Sequence, residues 1–184
     1  MLQQTFPKQL AEMPLDRFYA AINRAAPSLI RVEADELTYN LHIMLRVEIE
    51  QALIEGRAQP DDLPGLWNER MRSYLGIVPE RDAEGVLQDV HWSMGAFGYF
   101  PTYTLGNLYS VQFFEQAKQE LPQLDEDLAT GHLLPLRRWL EQKIHRWGRM
   151  FTPDHLARRV TGTGVNPEPF LRYLEQKYGA LYRL

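Results

Sequence analysis

The sequence predicts a mainly α-helical fold, a bundle of several helices, from the spacing of its apolar residues and from its helix-capping signals. Apolar side chains recur at three- and four-residue intervals along most of the chain, which is the period of a helix face. Thr152-Pro153 and Asn166-Pro167 each place a proline directly after a capping side chain, a pattern typical of helix starts. Alternating, strand-like runs are scarce, so any sheet should be small, at most a hairpin around residues 84–92.

The helices are predicted in order along the chain. The first lies around Phe18. The next begins at Leu37, where apolar residues follow i, i+4, i+7 and i+8 spacing, and it ends at Gly56. Gly76 is the predicted C-cap of a helix over residues 64–75. Further helices are predicted over residues 104–121 and 133–147 and directly after Thr152 and Asn166.

Composition and charge are those of an ordinary globular protein. Hydrophobic residues make up 45% of the chain and charged residues 24%, which is too apolar for disorder. A net charge of −4 and the lack of long basic runs argue against nucleic-acid binding. Cysteine is absent, and neither an export signal nor a membrane-length apolar stretch is present. We therefore expect a cytoplasmic helical domain, or a fragment of one, over residues 1–184, with no nucleic-acid or membrane partner.

The segment over residues 85–106 concentrates side chains that can do chemistry. His91 can act as an acid, a base or a ligand. The phenols of Tyr99 and Tyr103 can donate hydrogen bonds to a developing oxyanion. Glycines in the same segment allow sharp bends of the backbone. This composition fits a substrate-lining loop and a buried aromatic corner equally well.

Two motifs carry a resemblance to a known family. Residues 30–35 read IRVEAD, and residues 85–92 read GVLQDVHW. They resemble the IRxxAD and GxxQDxHW motifs in the C-terminal part of the Taq-type thermostable metallocarboxypeptidases, with every fixed position met in the same order. The flanking sequence from Phe18 onward is similar to that family as well. The resemblance covers nearly the whole chain and implies part of a larger helical metallopeptidase fold.

The chain departs from that family at the metal site. The family binds its metal through HExxH and a later Glu. Here none of the five histidines is followed by Glu, and no two histidines lie four residues apart. The resemblance therefore implies a C-terminal portion, with zinc or another divalent metal serving the intact enzyme. We expect this chain alone to bind no metal and to have no peptidase activity.

Arg31 and Asp89 are the candidate substrate-binding residues. From spacing alone, Arg31 could form an ion pair with Asp35, four residues further along a helix face. It could instead hold the terminal carboxylate of a peptide through two parallel hydrogen bonds. The resemblance favours the second interpretation, because the Arg of this motif is the family's proposed carboxylate anchor. Asp89 is also expected to set the tautomer of His91.

His91, Tyr99 and Tyr103 are the candidate catalytic residues. A lone His is often a core residue, and Tyr beside Phe often serves only packing. The resemblance implies that His91 bonds the substrate or the tetrahedral intermediate. It also implies that one tyrosine donates to the oxyanion, and Tyr103 is the preferred candidate.

The sequence thus predicts the C-terminal portion of a zinc metallocarboxypeptidase that releases single C-terminal amino acids from peptides. The expected partners are a peptide C-terminus, the missing N-terminal portion supplied in trans, and a second copy in a homodimer. Two alternatives stay open. One is a non-catalytic module that binds peptide C-termini, and the other is a helical protein that self-associates through exposed apolar faces.

Overall fold

The computed structural model describes residues 2–184, which form α-helices and short 3₁₀ turns and contain no strand. The predicted mainly α-helical fold is confirmed. The helices are α1 (Leu2–Thr5), α2 (Pro7–Leu10), α3 (Leu15–Ile22), α4 (Tyr39–Ile54), α5 (Leu63–Leu75), α6 (Pro101–Glu120), α7 (Leu124–Thr130), α8 (Leu134–Lys143), α9 (Pro153–Thr161) and α10 (Glu168–Tyr182). The 3₁₀ turns cover Arg31–Glu33, Pro60–Asp62, Asp82–Glu84 and His145–Trp147.

Helices α4 and α5 form where the sequence predicts them, and Gly76 and Thr152 are caps as predicted, whereas the N-cap of α10 is Pro167 rather than Asn166. Gly76 ends α5 in the left-handed conformation with φ of +71°, and its N–H donates to the carbonyl of Arg72 at 3.1 Å. The hydroxyl of Thr152 accepts a hydrogen bond from the N–H of His155 at 3.4 Å, which opens α9. Local capping chemistry therefore sets these boundaries.

The hairpin considered around residues 84–92 does not form, because this segment satisfies its backbone groups within itself. The N–H of Leu87 donates to the carbonyl of Asp82 at 2.9 Å, and that of Gln88 donates to Gly85 at 3.1 Å. These bonds close tight turns and leave no ladder for a neighbouring strand. The sequence also missed α7, a short acidic helix with one buried residue, Leu124.

The chain divides into two compact units, one ending at Pro101 and the other covering Thr102–Leu184. In the first unit α4 packs against α5. Burying one large aliphatic side chain contributes about 1.5–3 kcal/mol, so this shared core holds α4 in place. The core residues are Leu45, Ile49, Trp67, Met71, Leu75 and Val86.

The second unit has its own core, formed by Ala117, Leu124, Trp139 and Val160. Buried Gln112 on α6 fastens the loop before α10: its amide donates to the carbonyl of Gly164 at 2.9 Å and accepts from the N–H of Asn166 at 3.0 Å. Within residues 2–184, no helix has both the length and the apolar character needed to cross a membrane.

Candidate functional site

Two arginines share one carboxylate in the first unit. The Nη2 atom of Arg31 lies 2.6 Å from Oδ1 of Asp89, and the Nε of Arg46 donates to Oδ2 of the same side chain at 2.7 Å. Arg31 begins the turn Arg31–Glu33, Arg46 lies in the middle of α4, and Asp89 follows the turn Asp82–Glu84. Three segments that are distant in sequence therefore meet at one charged cluster.

Gln88 locks these segments together through both ends of its amide. Its oxygen accepts hydrogen bonds from the backbone N–H of Arg31 and from Nη2 of Arg46, each at 2.9 Å. Its nitrogen donates to the carbonyls of Leu29 at 3.0 Å and Glu84 at 2.9 Å. All four hydrogen bonds that an amide group can form are used. Gln88, in the motif of residues 85–92, thus holds the motif of residues 30–35 in place.

Arg31 pairs with Asp89 rather than with Asp35, the ion-pair partner considered as one alternative from the sequence spacing. Asp35 instead accepts from the backbone N–H groups of Ala26, Leu37 and Thr38, at 2.9, 3.0 and 3.0 Å. It organises the start of α4 as short carboxylates do at helix starts. Arg31 lies in a 3₁₀ turn ahead of that helix, so the helical four-residue rule does not apply between the two side chains.

Electrostatics within the cluster follow from burial and shared charge. Burial lowers the pKa of Arg46 to about 10, although the charge of Asp89 opposes the change. The pKa of Asp89 is lowered. Burial by itself would raise it, but the hydrogen bonds and ion pairs with Arg31 and Arg46 outweigh the effect of burial. Burial also opposes the charge on Arg31, yet Asp89 and Tyr39 leave its pKa raised. All three groups are therefore charged at neutral pH.

Sequence reasoning missed Arg46. Its side chain is fully buried, and its guanidinium lies over the rings of Trp67 at 4.5 Å and Phe100 at 5.4 Å. The sequence does contain a signal for Arg46, because His42, Arg46 and Glu50 recur at four-residue steps and form a polar stripe along α4. In the structure all three side chains are buried.

His91 and Tyr99 come together, but Asp89 does not hold His91 at hydrogen-bonding distance. The Nδ1 of His91 lies 3.8 Å from Oδ1 of Asp89. The ring centroid of His91 lies 4.3 Å from that of Phe100 and 5.6 Å from that of Tyr99. Tyr103 belongs to the second unit, in the first turn of α6.

Glu50 holds the aromatic segment against α4. Its carboxylate accepts from Nε1 of Trp92 at 2.9 Å and from the backbone N–H of Gly98 at 3.1 Å. Trp92 also meets Trp67 edge to face, with ring centroids 6.1 Å apart. The segment that carries His91 is therefore anchored on both of its sides.

His42 is a buried histidine beside this cluster. Its side chain is 0% exposed, and neither ring nitrogen has a hydrogen-bond partner within residues 2–184. Burial, helped by the positive charges of Arg46 and Arg31, lowers the pKa of His42 to about 4. The carboxylates of Asp89 and Asp35 oppose this change. The imidazole is therefore neutral at pH 7.

The described residues do not fit a metal site. No group of three or more His, Cys, Asp or Glu side chains in residues 2–184 is arranged to hold an ion. Both oxygens of Asp89 are engaged by arginines, and no second histidine accompanies His91 in such a group.

The comparisons with known proteins agree with one another. The sequence model of the carboxypeptidase Taq (M32) metallopeptidases matches residues 1–178. Thermostable carboxypeptidase 1 of Thermus thermophilus is 52% identical over 173 residues, which are 94% of this chain and 34% of that protein. Carboxypeptidase 1 of Bacillus subtilis is 45% identical over 183 residues, which are 100% of this chain and 36% of that protein.

Solved structures give the same result. The M32 carboxypeptidase from Deinococcus radiodurans R1 superposes with a TM-score of 0.96 at 41% identity, covering 100% of this chain and 37% of that one. Trypanosoma cruzi metallocarboxypeptidase 1 gives a TM-score of 0.88 at 40% identity, covering 96% of this chain and 38% of that one. The chain therefore spans about a third of the length of the relatives it matches.

Proposed function

This chain belongs to the carboxypeptidase Taq (M32) metallopeptidase family, and we propose that it supplies the part of the substrate groove that receives the C-terminal carboxylate of a peptide. The whole protein would release single C-terminal amino acids, because a groove closed by a carboxylate anchor admits only chain ends. Zinc as the metal of the whole enzyme, and a cytoplasmic location, are parts of the same proposal.

The pair of arginines on one carboxylate is the observation that carries this proposal. Arg31 and Arg46 both contact Asp89, so the contacting groups carry one more positive charge than negative charge. The neighbouring carboxylates of Asp35 and Glu50 accept hydrogen bonds from neutral N–H groups and keep their own negative charge, so the excess applies to the contacting groups alone. An incoming carboxylate gains from this excess positive charge, more strongly in a partly buried place than in open water.

Arg31 is the anchor candidate, and Arg46 positions it. Arg46 is the most deeply buried member of the cluster, with a side chain that is 0% exposed. The side chain of Arg31 is 7% exposed and that of Asp89 is 12% exposed. Asp89 acts through Arg31: it fixes the guanidinium plane and keeps it charged. Its place among the substrate-binding residues is therefore indirect in this proposal.

His91 and one tyrosine, Tyr99 or Tyr103, are the proposed donors to the scissile carbonyl. Their N–H and O–H groups can stabilise negative charge on a carbonyl oxygen, and Tyr99 lies beside His91 with its side chain half exposed. The carboxylate of Asp89 is committed to the arginines, so this proposal gives it no part in setting the tautomer of His91.

A peptide pair that differs only at its C-terminus tests the proposal. The chain should bind a short peptide with a free carboxylate, and it should bind the C-terminally amidated form at least about tenfold more weakly, as expected when a charge-assisted bond is lost. Arg31→Gln should remove this preference, and Arg31→Lys should restore only part of it because lysine lacks the bidentate fork.

The exposed Arg57, which pairs with Glu55, offers a matched control. Arg57→Gln removes the same charge outside the cluster and should leave the preference unchanged. Titration calorimetry gives the affinities, and circular dichroism checks that each variant is folded. Equal binding of the free and amidated peptides by the unmodified chain would refute the carboxylate pocket.

A further inference from the structure

The second unit contains a cleft with aromatic walls, which we call the aromatic cleft. Its volume is about 600 Å³, within the range of sites that hold small molecules. Tyr109 and Phe113 of α6 stack in its wall with ring centroids 6.0 Å apart. Phe151, Leu156 and Arg149 also line it. The cleft therefore offers flat apolar surfaces together with a cation.

Two further arginines lie against one indole ring beside the aromatic cleft. The Cζ atoms of Arg146 and Arg159 lie 4.9 Å and 4.6 Å from the centroid of the Trp147 ring. Arg159 also lies 5.4 Å from the centroid of Phe151, which lines the cleft and meets Trp147 at a centroid distance of 5.4 Å. Contacts between cations and ring faces thus hold both guanidinium groups close to the cleft.

These guanidinium groups lack a counter-charge from the chain itself. In the described part of this unit the arginine ion pairs are those of Arg158 with Asp154, at 2.8 Å, and of Arg172 with Glu115, at 2.9 Å. Arg146 and Arg159 therefore carry their charges side by side without a carboxylate. Like charges at this separation repel, and an anion placed between them would remove the repulsion.

The charge of the surrounding segment also favours an anion. Residues 137–159 contain seven Lys or Arg and two Asp or Glu, a net charge of +5, whereas the whole chain carries −4. Asp154 is close enough to add to the effect of burial in raising the pKa of Tyr109. Its carboxylate is engaged by Arg158 and by the backbone N–H of Val165, at 3.2 Å. The local field therefore remains positive.

We propose that the aromatic cleft binds a small organic phosphate, with a planar ring packed against Tyr109 and Phe113 and a phosphate group held by Arg146 and Arg159. A guanidinium pairs with phosphate oxygens through two parallel hydrogen bonds, and two guanidinium groups match the charge of about −1.5 to −2 on a phosphate monoester. A carboxylate carries a single charge and satisfies one such group. The inference goes beyond the proposed function and does not depend on Arg31.

Phenyl phosphate is the simplest probe that combines the two features. Titration calorimetry of the 184-residue chain compares it with inorganic phosphate, which has no ring, and with benzoate, which has a ring and a single charge. We expect phenyl phosphate to bind at least about tenfold more tightly than either, because only this probe uses the rings and both arginines.

Single substitutions locate the binding. Arg146→Gln and Arg159→Gln should each weaken phenyl phosphate at least about tenfold through loss of a charge-assisted bond. Arg138→Gln is the matched control, since it removes the same charge from the same basic segment at a residue that does not line the cleft. It should leave the affinity unchanged. All three side chains are exposed, and circular dichroism verifies that the variants are folded.

Three outcomes would overturn the inference. If inorganic phosphate bound as tightly as phenyl phosphate, the aromatic walls would have no part in binding. Equal binding of benzoate would contradict the assignment of a phosphate. A loss of affinity in Arg138→Gln equal to that in Arg146→Gln and Arg159→Gln would show a diffuse attraction to the basic segment in place of a site. Because the readout is binding of phenyl phosphate, a failed carboxylate pocket at Arg31 does not affect the result.

Discussion

At the residue scale, Asp89 is the side chain on which the charged cluster depends. Arg46 is fully buried and Arg31 nearly so, and both direct their guanidinium groups to this one carboxylate. Removing one partner from a buried ion pair leaves an uncompensated charge in a region of low dielectric. The cluster therefore contributes to stability through Asp89 more than through either arginine alone.

Replacing Asp89 with Asn should destabilise the chain by about 3–5 kcal/mol, because both buried arginines lose their counter-charge. Chemical denaturation measures the free energy of unfolding. Glu55→Gln, which breaks the exposed pair with Arg57, is the control and should cause no measurable change. If Asp89→Asn lowered the free energy of unfolding as little as the control does, Asp89 would be dispensable for stability.

His42 predicts a particular pH dependence of stability. Its pKa is lowered from 6.5 to about 4, so between these values the unfolded chain binds a proton that the folded chain does not. Stability should therefore fall as the pH drops from 6.5 to 4, with a slope of up to about 1.4 kcal/mol per pH unit from this group. The lowered pKa of Asp89 acts at more acidic pH, where its loss of charge adds to the decline.

His42→Leu removes the titrating group and keeps a buried side chain of similar size. Denaturation curves of both proteins across this pH range should show a shallower slope for the variant, and similar or higher stability at pH 7. Identical slopes would mean that His42 binds its proton equally well in the folded and unfolded chains.

The partners of Arg31 could not be predicted from the sequence. The family resemblance of the two motifs pointed to Arg31 and Asp89, but their contact joins positions 58 residues apart. Only the fold reveals that Asp89 rather than Asp35 neutralises Arg31. The buried stripe of His42, Arg46 and Glu50 was present in the sequence, but the apolar periodicity of the same helix concealed it.

At the scale of elements, local signals determine most of the helices. Capping residues and apolar spacing predict α4, α5 and α9 because these signals act within a few residues. The turns of residues 84–92 were harder to predict, since their shape depends on Gln88 reaching Leu29 and the N-terminal motif. Non-local hydrogen bonds leave no periodic signal in the sequence.

Replacing Gly65, inside α5, or Gly76, the residue that caps it, with alanine should change the stability of the chain in opposite directions. At Gly76 a Cβ meets no atom within 4 Å, but φ is +71°, so Gly76→Ala should cost about 1 kcal/mol for the left-handed backbone. At Gly65, within α5, a Cβ also meets nothing within 4 Å, and Gly65→Ala should stabilise by about 0.5–1 kcal/mol. Thermal or chemical unfolding compares the two. If both substitutions changed the free energy of unfolding in the same direction, the assignment of Gly76 as a left-handed helix cap would be contradicted.

At the scale of the whole molecule, the chain spans about a third of the length of the relatives it matches. The family resemblance read from the two motifs is confirmed by the family match over residues 1–178. The described residues place two substrate-binding candidates together and hold no metal-binding group. The sequence could indicate the family because both motifs are local patterns of a few residues. It could not predict which apolar side chains are exposed, since exposure depends on the fold.

We expect this chain to form a complex with the part of Bacillus subtilis carboxypeptidase 1 that it does not match. Release of single C-terminal amino acids by that complex tests the central claim most directly. Mass spectrometry of peptide products, with Zn²⁺ in the buffer, should show one residue removed from free peptides and none from amidated ones. Neither polypeptide alone should act, and Arg31→Gln should slow release at least about 100-fold without changing the mass of the complex. An Arg31→Gln complex that cleaves at the normal rate, or equal cleavage of amidated peptides, would contradict the account.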